Sequence, residues 1–131
     1  MTDTELRDML IEYMGKGFLD NIIDMFKHDK SLFRFLPEMV RSDNTRVRIG
    51  AIALIEELMD SHREEIEGLV SRFIEFLREG DATLRGDIAY ILGIIKSPLS
   101  VDVLKGLLND ENPDVRLIAR EALEEFNRDE S

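Results

Sequence analysis

Arg48, Arg85 and Arg116 are the polar residues whose spacing most invites a chemical reading. They stand 37 and 31 residues apart in closely similar surroundings. A guanidinium stays charged and presents several N–H donors in a planar fork. Such a row could bind anions along a groove, or it could tie neighbouring turns together through carboxylates and carbonyls. Asp43, Asp81 and Asp110 sit beside the three turns and are candidate partners for the second role. A feature present in every copy of a repeat usually serves stacking, so the structural role is the expectation. Other chemistry-bearing residues are sparse. His28 and His62 are the only histidines and lack metal-ligand spacing. There is no cysteine, which excludes disulfides, thiol catalysis and cysteine metal sites together. No phosphate loop, nucleophile elbow or glycine-rich nucleotide fingerprint occurs. Among 28 acidic residues no carboxylate pair stands out as an acid–base couple. No catalytic residue, cofactor or metal is therefore expected.

The elements that carry the arginines are legible as helices. Four residues before each arginine stands Asn44, Asp81 or Asn112, whose side-chain oxygen can accept an unpaired N–H of a first helical turn. Pro113 follows at the first helical position, where its missing N–H costs nothing. Apolar residues then recur at steps of three and four: Val47, Ala51, Leu54, Ile55 and Leu58; Leu84, Ile88, Ile91, Leu92 and Ile95; Val115, Ala119, Ala122, Leu123 and Phe126.

A second amphipathic segment precedes each of these helices. The first runs from Leu32 to Arg41. The second opens on Ser61, His62, Arg63 and Glu64, which reads as a capping box, and carries Ile66, Leu69, Val70, Phe73, Ile74 and Leu77. The third opens on Ser97 and Pro98 and carries Val101, Leu104, Leu107 and Leu108. Short polar turns join each pair, so its helices should be antiparallel neighbours. Upstream, Thr2 to Glu5 reads as another capping box. Leu6, Met9, Leu10, Tyr13 and Met14 mark a helix stopping at Gly15, and Phe18, Ile22, Ile23 and Phe26 mark the next.

The three arginine segments in register, with Phe35, Leu36 and Pro37 in the first helix of the first pair, resemble the HEAT-repeat family, including its bilin-lyase-like branch. The resemblance implies an all-α fold, a right-handed α–α superhelix or solenoid of helix pairs, with Pro37 kinking its helix. It implies one domain over 1–131: a degenerate N-terminal pair at 1–29, then repeats at 30–60, 61–96 and 97–131. It also implies a non-catalytic protein-binding scaffold using the concave face formed by the second helices. The alternative is an accessory subunit or small enzyme of the bilin-lyase type. HEAT-like deoxyhypusine hydroxylases carry paired His-Glu metal motifs, and this chain has no His-Glu dipeptide.

Counting from each arginine, positions one, five and eight turn away from the apolar stripe at about 100° per residue. In α-helical order these include Ile49 and Glu56, then Gly86, Tyr90 and Gly93, then Leu117, Glu121 and Glu124. Each glycine costs about 1 kcal/mol against alanine inside a helix. Two readings follow. Tyr90 stands in a shallow apolar dip between Gly86 and Gly93, flanked by Ile49 and Leu117 and rimmed by Glu56, Glu57, Glu121, Glu124 and Glu125. Alternatively, the glycines only let helices approach, and Tyr90 is covered by its own protein.

The formal charge of −11 favours a basic or amphipathic protein segment as partner and disfavours nucleic acid and anionic membranes. Apolar runs fall far short of the roughly 20 residues that span a bilayer, and the acidic, polar N-terminus is unlike a signal peptide. A cytoplasmic location is the expectation. Leu117 and Ile118 add apolar bulk near the C-terminal end, where Glu124, Glu125, Arg128 and Glu130 supply part of a polar face. Weak self-association through that end is the accompanying expectation.

Overall fold

The computed structural model describes residues 1–128, so Glu130 lies outside the described residues. Among them the chain is all-helical, and it divides into two compact units, Met1–Ile66 and a second beginning at Glu67.

The first unit opens with α1 (Asp3–Gly15) and α2 (Leu19–His28). Thr2 and Glu5 form the expected reciprocal cap, with the Glu5 N–H donating to Thr2 Oγ1 at 3.1 Å. α1 ends in a Schellman motif. The Phe18 N–H donates to the Tyr13 carbonyl at 3.0 Å and the Gly17 N–H to the Met14 carbonyl at 3.1 Å. Gly17 takes φ 92°, which only glycine adopts without strain. The exposed rings of Tyr13 and Phe18 meet edge to face at 5.8 Å, which is the apolar contact that accompanies this cap.

A 3-10 stretch (Lys30–Phe35) runs into α3 (Leu36–Val40), and α4 follows (Thr45–Leu58). Pro37 does not kink a longer helix as expected; it stands in the first turn of α3. A proline ring clashes with the carbonyl four residues back, so the preceding turn tightens to 3-10 and the α-helix starts only at Leu36, with the proline in its first turn. The Asn44 side chain caps α4 by accepting the Arg46 N–H at 2.9 Å. α4 packs on α1, α2 and α3 and buries Val47, Ala51, Leu54, Ile55 and Leu58 completely. Each large aliphatic side chain so buried contributes about 1.5–3 kcal/mol. A Cβ at Gly50 would collide with the Met14 side chain, so that glycine lets α1 and α4 close up.

α5 (Arg63–Glu67) carries the boundary between the units. It begins later than the capping-box reading requires: the His62 carbonyl accepts the Ile66 N–H at 3.2 Å, so His62, not Ser61, holds the cap position. Ser61 Oγ instead meets His62 Nδ1 at 2.7 Å, and the His62 ring stacks on Phe33.

The second unit contains α6 (Val70–Glu75), a 3-10 turn (Phe76–Arg78), α7 (Ala82–Ile95), a 3-10 turn (Pro98–Ser100), α8 (Val101–Leu107) and α9 (Pro113–Arg128). The helix expected to run unbroken to Leu77 is interrupted at Gly68 and Leu69, where glycine weakens helix propagation. Asp81 caps α7 through the Leu84 N–H, and Asn112 caps α9 through the N–H groups of Asp114 and Val115. α9 packs along both α7 and α8. Phe73, Ile88, Leu92, Ile95, Leu104 and Ala119 form the centre of the core. Leu108, read as a core position, is exposed because α8 ends before it.

Candidate functional site

The arginine row is built into the turns. Arg85 donates from Nε and Nη2 to Asp110 Oδ2 and Oδ1 at 2.9 and 3.0 Å, and from Nη1 to the Gly80 carbonyl at 3.0 Å. Arg116 donates to the Asp110 carbonyl at 2.7 Å. Arg48 donates to the carbonyls of Ser42 and Asp43 at 3.0 and 3.3 Å. Of the three candidate aspartates, only Asp110 offers its carboxylate to an arginine in these contacts; Asp81 spends its carboxylate on the helix cap. The Arg85 fork, together with the Asn112 N–H at 2.9 Å, holds the Asp110 carboxyl below the ordinary aspartate range.

Tyr90 is 46% exposed on the outer side of α7. Beside it α7 and α9 approach so closely that a Cβ on Gly93 would lie 2.8 Å from the Ala122 Cβ and 3.0 Å from its Cα. Above that contact the two helices leave a cavity of about 440 Å³, lined among others by Tyr90, Gly93, Ile118, Glu121 and Glu125. Glu121 is exposed at the rim, and Glu125 pairs with Arg128 at 2.6 Å. Lys96 also lines the cavity and caps α7 in the left-handed region, at φ 56° and ψ 38°.

The other candidate positions fall elsewhere. Gly86 is buried against Ile118 and lines a separate hollow of about 210 Å³. Leu117 is 43% exposed, yet it lines a third hollow, with Leu108, Pro113, Arg116 and Arg120, on the α8 side of α9. Glu124 is exposed on α9. Ile49, 62% exposed, and the exposed Glu56 and Glu57 belong to α4 of the first unit. Sequence reasoning missed Ile94, Lys96, Ile118 and Ala122 as groove residues. The spacing of 118, 121, 122 and 125 on one side of α9 was the signal that could have found its half of the wall.

His28 ends α2 with Nδ1 at 2.8 Å from the Asp24 carbonyl, a helix C-terminal position where the dipole suits a cation. No group of three or more His, Cys, Asp or Glu side chains among the described residues could hold a metal ion. Among them no helix is long and apolar enough to cross a membrane.

In comparison with known proteins, the family model for HEAT repeats matches residues 33–124. No curated protein and no solved structure matches the chain.

Proposed function

The chain belongs to the HEAT-repeat family, and we propose that it is a non-catalytic protein-binding scaffold of the cytoplasm that takes a basic, amphipathic segment of a partner into the groove between α7 and α9. The observation that carries this reading is the exposed Tyr90 beside the concavity over the Gly93–Ala122 contact. An exposed tyrosine offers a large, rigid contact with a polar tip, the kind of residue that dominates interface energetics. The floor of Ile118 and Ala122 suits an inserted aliphatic side chain. Glu121 at the rim, on a chain of charge −11, suits a lysine or arginine next to it. Ile49, Glu56 and Glu57 on α4 are proposed as a contact surface of the first unit in its own right.

The test is fluorescence anisotropy with a labelled helical peptide of leucine and lysine, against a scrambled control. Tyr90→Ala and Glu121→Lys should each weaken binding about tenfold, which corresponds to roughly 1.4 kcal/mol, and added salt should weaken the wild type. Equal binding by the wild type and both variants would sink the reading.

A further inference from the structure

We infer that the α8–α9 face of the second unit is a separate binding surface for an acidic, apolar segment of another protein. It does not depend on the groove beside Tyr90. Leu108 and Leu117, 38% and 43% exposed, line a hollow of about 330 Å³ with Pro113 between them in sequence. Arg116 and Arg120 line the same hollow, one helical turn apart on α9 and on either side of Leu117 in sequence. Single exposed leucines are ordinary on a protein surface. Two of them sharing one concavity with two guanidiniums, on a chain of charge −11, form an exception that the composition does not account for.

Local chemistry identifies the occupant. Arg116 is oriented by its hydrogen bond to the Asp110 carbonyl, so part of the ordering that a bound carboxylate would require is already in place. A helical segment with carboxylates one turn apart can meet both guanidiniums while a bulky apolar side chain between them enters the hollow. A symmetric contact with a second copy would set arginine against arginine, which opposes a closed dimer through this face. Two cations against the overall charge are too few to track a phosphate backbone. Arg116 and Arg120 thus line a different hollow from Glu121 and Glu125, on another side of α9.

The experiment uses the full chain and a labelled helical peptide in which leucine is flanked by glutamates, alongside its lysine counterpart and a scrambled control. The acidic peptide should bind, and Arg120→Glu and Leu117→Ser should each weaken it about tenfold or more. Glu121→Lys should leave it unchanged, and unlabelled lysine peptide should not displace it. Circular dichroism melts of both variants should match the wild type, since both side chains are exposed. The inference is overturned by equal binding of acidic and scrambled peptides, or by Arg120→Glu and Leu117→Ser binding as the wild type does. Light scattering that shows concentration-dependent assembly of the wild type, lost in Arg120→Glu, would also overturn it, by assigning the face to a second copy. Failure of the lysine peptide alone would count against the Tyr90 groove and leave this surface standing.

Discussion

Arg85 and Asp110 are joined by two parallel hydrogen bonds, 2.9 and 3.0 Å long, across 25 residues of chain. The fork links α7 to the turn between α8 and α9. The same aspartate takes Arg116 on its carbonyl and the Asn112 N–H on its carboxylate. Asp110 is thus the point where two of the three repeat arginines converge, and both side chains of the fork are largely withdrawn from solvent. Such bidentate charge-assisted pairs are directional and strong for hydrogen bonds. This geometry ties the Arg85 guanidinium into the turn between α8 and α9.

Asp110→Ala should therefore destabilise the protein by about 2 kcal/mol, because it removes the two carboxylate bonds of a largely covered guanidinium, leaving the one to Gly80, and frees the turn. Asp43→Ala should change stability by no more than about 0.5 kcal/mol, since Arg48 uses the Asp43 backbone carbonyl, which the substitution keeps. Urea unfolding of both variants checks the contrast. Equal effects would mean that the carboxylate of Asp110 has no special part.

The same pair predicts a pH dependence. The Asp110 carboxyl is held low first by its hydrogen bonds with Arg85 and then by the Asn112 N–H. A carboxyl with a lowered folded-state pKa adds stability that is fully present above its unfolded value. That stability is lost as pH falls through the folded value. The stability difference between wild type and Asp110→Asn should be constant near neutrality and shrink on acidification below about pH 4. Paired melts across that range read it directly, and a difference that persists unchanged into strong acid would refute the assignment.

The features legible in the sequence are those whose chemistry is local. Thr2, Asn44, Asp81 and Asn112 act on N–H groups two or three residues away, so their spacing suffices to identify them. Pro37 and Ser61 were misplaced because a 3-10 turn and a one-residue shift of a helix start depend on how the neighbouring segment packs. The binding face was harder. Position one after the arginine is exposed at Ile49 and Leu117 but buried at Gly86, and position eight is exposed at Glu56 and Glu124 but buried at Gly93. On α7 the glycines admit α9, which covers both positions. Whether a glycine marks an open dip or a close approach depends on a partner helix that the spacing does not place. Leu117 and Ile118 are adjacent in sequence yet face different hollows, because one residue turns the helix by about 100°.

Gly93→Ala tests that close approach. Helix propensity alone would favour alanine by about 1 kcal/mol. The new Cβ would instead press on Ala122, including its backbone, and force α7 and α9 apart, for a net loss of about 1–3 kcal/mol. Gly106→Ala in α8 is the control: its Cβ would meet nothing within 4 Å, so it should gain about 0.5–1 kcal/mol. If both substitutions stabilise the protein, α7 and α9 do not touch as closely as described.

Lys96 gives the last prediction and connects stability to the groove. It is the one non-glycine residue with positive φ among those described, and it ends α7 by donating its N–H to the Leu92 carbonyl at 3.0 Å. The left-handed region costs an ordinary L-residue roughly 1–2 kcal/mol, and glycine almost nothing. Lys96→Gly should therefore raise the melting temperature, with a gain of about 1 kcal/mol after glycine's greater unfolded-state entropy is counted. Lys96 also lines the cavity beside Tyr90, and its positive charge adds repulsion toward a basic ligand there. Lys96→Ala removes that charge and keeps the backbone strain, so the pair separates the two effects. Both variants should bind the lysine peptide about two- to threefold more tightly than the wild type, a change of roughly 0.5 kcal/mol. Only Lys96→Gly should melt higher. A melting temperature for Lys96→Gly no higher than that of Lys96→Ala would show that the cap carries no strain. Tighter binding by the glycine variant alone would show that backbone freedom at the end of α7, and not the lysine's charge, limits what the groove accepts.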